Sequence, residues 1–287
     1  MANSKTIDDR LLSDVTESVS RALREDVGDG DVTAALVPDA QLAHASIISR
    51  DLMVLAGRPW VAEVCRQIDA NIAIDWHYDD GSELDPGDTI CDWRGPARSI
   101  LTAERTALNF LQLLSGTATL TAAYVRAVHG TNCRILDTRK TLPGLRHAQK
   151  YAVRCGGGVN HRMGLFDAIL IKENHIRSAG GIDNAVTAAR TLQPDMPIEV
   201  EAESLAEFRQ ALAAGADQIM LDNFATADMQ EAVRINRTDG EPPAKLEASG
   251  GVRLDTIAAI AQTGVDYISV GALTKDVTAI DLSMRFR

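Results

Sequence analysis

From residue 134 onward the chain repeats one pattern: a short apolar run closing on a polar or glycine residue, then an amphipathic helix. The runs are RILDT (134–138), AILIK (168–172), PIEVEA (197–202), QIMLD (218–222), KLEASG (245–250) and YISVG (267–271). They recur every 20–35 residues, the length of one βα unit. Near-continuous apolar strands are what a parallel sheet buried on both faces requires. A doubly wound sheet and an α/β barrel both meet that requirement. A dinucleotide-type sheet concentrates its signal in one glycine-rich first turn, and no GxGxxG follows a strand here. The residues that close the runs are instead chemically capable throughout: Arg139 and Lys140, Lys172, Glu201, Asp222, Ser249 and Gly271. In a barrel those strand ends share one mouth. Six runs within about 140 residues fall short of the roughly 250 residues of a complete barrel. The expectation is therefore a compact or irregular α/β barrel.

The earlier part of the chain has a different texture. Residues 8–26 place Leu11, Leu12, Val15, Val19 and Leu23 on one helical stripe. Extended segments follow (HASIISRDLMVLAG, NIAIDWHYDDG, DTICDWRG), divided by the turn signals DDGS and DPGD. The stretch ARSILTAERTALNFLQLLSG then predicts a helix with Leu101, Leu108 and Leu111 inward. Up to about residue 115 this reads as a small α+β domain. Aromatics are only 4% of the chain, so the core must be aliphatic. A pI near 5.0 argues against nucleic acid as a partner, which needs a broad basic face. Cys65, Cys91, Cys133 and Cys155 show no metal-ligand spacing and read as buried thiols in a reducing cytoplasm. The N-terminus lacks an apolar signal core, and no run of about 18 apolar residues is present to span a membrane.

Against a net charge of −11, residues 137–162 gather six Lys or Arg and two His around one acid, Asp137. Arg139, Lys140, Arg162 and Lys172, with His161, read as a cationic pocket. Guanidinium groups clamp carboxylates through paired hydrogen bonds. Enclosing so much positive charge calls for a ligand with at least two negative charges. Arg146, Lys150 and Arg154, spaced i, i+4, i+8 on one helix, read as charges facing solvent or a neighbouring subunit. Glu201 and Asp222 suit Mg2+, directly or through water, or sugar hydroxyls; a salt bridge to one of the lysines is the alternative. ASGG (248–251) and SVGAL (269–273) follow the last two strands, where a phosphate cradle recurs in barrels. Gly156–Gly158 is no Walker loop, since no GK[ST] follows, and reads as letting a backbone pack close to the anion pocket. The composite is a site for a small polycarboxylate joined to a phosphorylated sugar. Two other readings stay open on these residues: a Schiff-base aldolase using Lys172 or Lys140, and a non-catalytic anion-binding protein.

The motifs LTAERTALNFLQLLSG, DTRKTLPGLRHAQKYAVRCGGGVNHRMGLFDAILIKENHI, EVEAESL, IMLDNF, EASGGV and TGVDYISVGALT resemble those of the quinolinate phosphoribosyltransferases along nearly the whole chain. The resemblance implies that quinolinate and phosphoribosyl pyrophosphate give nicotinate mononucleotide, pyrophosphate and CO2, with Mg2+, in de novo NAD synthesis in the cytoplasm. It implies an N-terminal α/β sandwich (1–115, joined by 275–287) and an incomplete α/β barrel (116–274). A head-to-tail homodimer with a shared active site, or a higher oligomer, is implied too, with Arg105 reaching the partner's site. Carried over, Arg105, Arg139, His161, Arg162 and Lys172 contact quinolinate. Lys140 lies near pyrophosphate and ribose. Glu201 and Asp222 meet ribose hydroxyls and metal-bound water, and Ser249, Gly250, Gly271 and Ala272 hold the 5-phosphate. Catalytic roles then fall to Lys140, Lys172, Glu201 and Asp222. A sister phosphoribosyltransferase acting on nicotinate is the rival, although a single carboxylate would not require so many cations.

Overall fold

The structure, a computed structural model, describes residues 9–240 and 242–287. The expected helix start at Asp8, and most of the N-terminus read as lacking a signal core, lie outside the described residues. The elements run α1 (Asp9–Asp26), β1 (Leu42–Ser49), β2 (Met53–Val54), α2 (Arg58–Ile68), β3 (Ala73–Trp76), β4 (Glu83–Leu84), β5 (Thr89–Pro96), α3 (Ala97–Ala127), β6 (Arg134–Leu136) and α4 (Arg146–Cys155). They continue with β7 (Ile169–Ile171), α5 (Glu173–Ala179), α6 (Ile182–Leu192), β8 (Ile198–Ala202), α7 (Leu205–Ala213), β9 (Gln218–Asp222), α8 (Thr226–Asp239), β10 (Lys245–Ser249), α9 (Ile257–Ala261), β11 (Tyr267–Ser269), α10 (Ala272–Lys275) and β12 (Leu282–Phe286). Two compact units result. The first takes the chain up to Ala122 with Thr141–Gly157 and Ala272–Arg287; the second takes Ala123–Lys140 and Gly158–Gly271.

The first unit is built on an antiparallel sheet in the order β12-β1-β5-β3. Trp60 and Trp93 are fully buried in its core, where Leu11, Val15, Val19 and Leu23 of α1 also pack. Leu12, expected on that stripe, is 50% exposed, and Leu101 of α3 stands partly in solvent while Leu108 and Leu111 are buried. The sequence suggested that α3 ends at Ser115–Gly116, yet the helix runs on to Ala127. Gly116 is not a stop: a Cβ there would lie 2.1 Å from the Thr278 carbonyl oxygen, so the glycine admits a crossing backbone. Gly156 behaves alike. A Cβ there would lie 2.3 Å from the Ala118 carbonyl oxygen of α3, so this first glycine of the GGG run serves close packing against a helix rather than an anion pocket. The reading of Lys150 as a solvent or subunit-facing charge is likewise corrected. Lys150 is fully buried, because α4 buries residues from Ala148 to Val153 all round its axis and has no continuous wet face there. All four cysteines are free and buried, and burial pushes the Cys91 and Cys133 thiols up to about 12.

The second unit holds a six-stranded sheet in the order β6-β11-β10-β9-β8-β7, every pair parallel. The outer strands β6 and β7 do not pair with each other, so the barrel is incomplete. The register sorts side chains cleanly. Ile198, Val200, Ala202, Ile219, Leu221, Leu246, Ala248 and Ile268 share one face and are buried to 1% exposure or less. The opposite face carries Glu199, Glu201, Gln218, Met220, Asp222, Glu247, Ser249 and Ser269. The expectation of strands apolar on both faces is thus corrected: these strands alternate with period two, and one face is polar. Among the described residues no helix is long and apolar enough to cross a membrane.

Candidate active site

The site is laid out along the C-terminal edge of the parallel sheet. At the end of β6, Asp137 is fully buried and accepts the His161 backbone N–H at 2.9 Å, while the Asn160 side-chain amide donates to its other oxygen. Val159 runs parallel to Leu136, with its N–H on the Ile135 carbonyl at 2.8 Å. The segment after the glycine run is thereby held along β6, which sets Arg162 near Arg139. Burial first, and the charge of Arg139 second, hold the Arg162 pKa below its ordinary value. A guanidinium in that state favours an anion. Lys140 is exposed at the same strand end, its N–H on the Thr138 hydroxyl at 3.0 Å.

Lys172 caps the N-terminus of α5. Because Ile171 pairs with Val200, Lys172 emerges beside Glu201 and forms an ion pair with it. Glu201 pairs with Met220, and Asp222 lies two residues further along β9 on the same face, one diagonal step away. Asp222 pairs in turn with Ser249, which opens the turn through Gly250 and Gly251, both at positive φ (92° and 57°). Beyond β11, the Val270 N–H donates to the Leu136 carbonyl at 2.9 Å, bringing the Gly271 turn back beside β6. Arg139, Lys140, His161, Arg162, Lys172, Glu201, Asp222, Ser249, Gly250 and Gly271 therefore all belong to the second unit and to one end of its sheet. Arg105, exposed on α3, and Ala272, which opens α10, belong to the first unit.

Three residues that the sequence reading passed over sit directly behind His161. Its Nε2 lies 2.9 Å from Glu199 Oε2 and 3.5 Å from Glu247 Oε2. Gln218 Nε2 donates to both acids, at 3.1 and 2.7 Å. His161 Nδ1 lies 2.8 Å from the Arg162 backbone nitrogen. Both ring nitrogens are turned to protein partners, so His161 acts as a strut under Arg162. Burial alone would lower its pKa, but the hydrogen bonds to Glu199 and Glu247 prevail and push it up to about 10. Glu247 is raised as well, by burial and by the charge of Glu199. The signal was in the sequence: the alternation in IEVEA and KLEAS marks a polar inward face.

His161, Glu199 and Glu247 offer ligand atoms within 4.8 Å of one another. That mixed set does not suit Mg2+, which prefers oxygen donors and keeps its own waters; Gln218 also donates into both carboxylates. Glu201 and Asp222 fit better. They are carboxylates, only partly buried, and each already accepts a hydrogen bond from Lys172 or Asn223, which favours contact through water.

An incomplete parallel barrel with cations, an acid pair and two glycine turns gathered at its strand ends has the frame of an α/β enzyme. The chain belongs to the quinolinate phosphoribosyl transferase family: residues 31–115 match the model of its N-terminal domain and residues 117–285 that of its C-terminal domain. It is 43% identical over 275 residues to nicotinate-nucleotide pyrophosphorylase [carboxylating] of Mycobacterium leprae, across 93% of this chain and 95% of that protein. To the probable counterpart in Bacillus subtilis it is 42% identical over 261 residues, covering 91% and 89%. The nicotinate-nucleotide pyrophosphorylase structure from Francisella tularensis superposes with a TM-score of 0.93 at 51% identity, over 96% of this chain and 97% of that one.

Proposed function

We propose that this chain transfers a phosphoribosyl group from phosphoribosyl pyrophosphate to quinolinate and decarboxylates the product, giving nicotinate mononucleotide, pyrophosphate and CO2 for NAD biosynthesis. Arg139, Arg162 and Lys172 grip the two quinolinate carboxylates and hold the ring nitrogen in line with the anomeric carbon, which removes much of the entropic barrier. As the bond to pyrophosphate breaks, positive charge grows on the ribose ring, and Glu201 and Asp222 favour it electrostatically. Mg2+, when bound near Glu201 and Asp222, supplies charge neutralisation for the pyrophosphate, to which Lys140 adds. Ser249, Gly250 and Gly271 hold the 5-phosphate through backbone N–H groups. The new N–C bond makes the pyridine ring cationic. The adjacent carboxylate then leaves as CO2, its bonding pair stays on the ring carbon beside N+, and that carbon takes up a proton. The Schiff-base role for Lys140 or Lys172 has no step here.

The observation that carries this reading is the pairing of half-buried Arg139 and Arg162 on the same sheet edge as the Lys172–Glu201 ion pair and Asp222. Assembly as a homodimer, with exposed Arg105 completing the partner's site, is part of the proposal, as is a cytoplasmic location, which the four free thiols fit. Incubation with quinolinate, phosphoribosyl pyrophosphate and Mg2+ should release CO2, pyrophosphate and nicotinate mononucleotide in equal amounts. Pyrophosphate release without CO2 would refute the proposed reaction.

A further inference from the structure

Asn223 is the one non-glycine among the described residues with a positive φ, 58°. A turn that needs only this backbone conformation is served more cheaply by glycine, as at Gly180 and Gly215 in the same unit. Strain kept at one position beside a functional residue points to a use for its side chain. Three contacts supply that use. The Asn223 side-chain amide donates to Asp222 Oδ2 at 2.8 Å. Its backbone N–H donates to the Ser249 carbonyl at 2.9 Å. Its side-chain oxygen occupies the space a Cβ on Gly250 would need, 2.1 Å from that point, and Gly250 is itself at φ 92°. The residue is wedged between the Asp222 carboxylate and the Ser249–Gly250 turn.

We infer that Asn223 is a positioning residue for phosphoribosyl pyrophosphate: it fixes the plane of the Asp222 carboxylate and the approach of the Ser249–Gly250 turn, so that the ribose and the 5-phosphate are held in register. This rests on the reading that Asp222 and that turn contact the sugar phosphate. The strained φ is the cost of presenting an amide at that place, and neither glycine nor a residue in ordinary conformation can do so.

Three variants test it: Asn223→Gly, Asn223→Asp and, as reference, Asp222→Asn. Each is measured for thermal midpoint, for quinolinate affinity by calorimetry, and for kcat/KM with phosphoribosyl pyrophosphate varied. Asn223→Gly relieves the backbone, so its midpoint should stay level or rise. Its kcat/KM for phosphoribosyl pyrophosphate should nonetheless fall about ten- to a hundredfold, the scale of one hydrogen bond to a charged group, with quinolinate affinity within about twofold. Asn223→Asp keeps the shape and the tolerance for positive φ but sets a second carboxylate against Asp222, and should lose at least as much. A glycine variant with unchanged kcat/KM, beside an inactive Asp222→Asn, would overturn the role of Asn223 and leave the site reading standing. A lowered midpoint with equal losses toward both substrates would reduce Asn223 to a structural residue and overturn the inference. An active Asp222→Asn would overturn both.

Discussion

Replacing Arg162 by alanine should weaken quinolinate binding about a hundredfold while leaving phosphoribosyl pyrophosphate affinity within a few fold. Arg162 and Arg139 are partly buried neighbours of like charge, and burial with that neighbour already disfavours the charged guanidinium. A dianion relieves both penalties at once. A hydrogen bond between ionised groups is worth about 1.5–3 kcal/mol net, and removing one partner of a desolvated pair costs about 2–5 kcal/mol, which brackets a hundredfold loss. Arg162→Lys retains charge but not the two-pronged geometry and should fall between. The empty protein should show the opposite trend, since the alanine variant loses a like-charge contact and its thermal midpoint should not drop. Calorimetric titration of each substrate separately, with melting curves of the unliganded proteins, checks both halves.

The second large effect concerns stability against pH. His161, held between Glu199 and Glu247, keeps its added proton up to about pH 10 when folded, whereas an unfolded histidine releases its proton near 6.5. Between those values the folded state binds about one proton more than the unfolded state. Stability must then fall as pH rises through that window, by up to about 1.4 kcal/mol per pH unit. Below about pH 6.5 the contribution is fully present; above about pH 10 it is gone. Other groups titrate in the same range, so the test is a difference. Denaturant unfolding of the wild type and of His161→Asn at pH 7 and pH 9 should give a clearly smaller pH loss for the variant. Parallel losses would mean that His161 holds no such proton. Truncation is a harsher probe. Glu247→Ala leaves Gln218 and His161 facing a cavity beside the remaining acid and should cost about 3–5 kcal/mol.

The sheet edge was legible because each βα unit announces itself twice, through an apolar run and through the residue that ends it. Arg139, Lys172, Glu201 and Asp222 could be named from that position alone. What lay behind them could not. Glu199 and Glu247 hide inside runs that look apolar when read as blocks and reveal themselves only when IEVEA and KLEAS are read as alternation. Lys150 misled because i, i+4 spacing of charge marks one helix face but does not say whether that face is wet. Gly116 and Gly156 misled because a glycine needed for the close approach of another backbone is spelled the same as one that ends a helix or lines a pocket. Asn223 carried no signal, since its positive φ and its wedge against Gly250 exist only once β9 and β10 are paired.

The central physical claim is that cations from separate βα units form one clamp for two carboxylates. Calorimetric titration of the wild type with quinolinate and with nicotinate tests it most directly. The clamp predicts that quinolinate binds at least about tenfold more tightly, the worth of one further charged hydrogen bond, and that Arg139→Ala and Arg162→Ala each shrink the gap. Equal affinity for the two acids, or a gap untouched by either substitution, would contradict it.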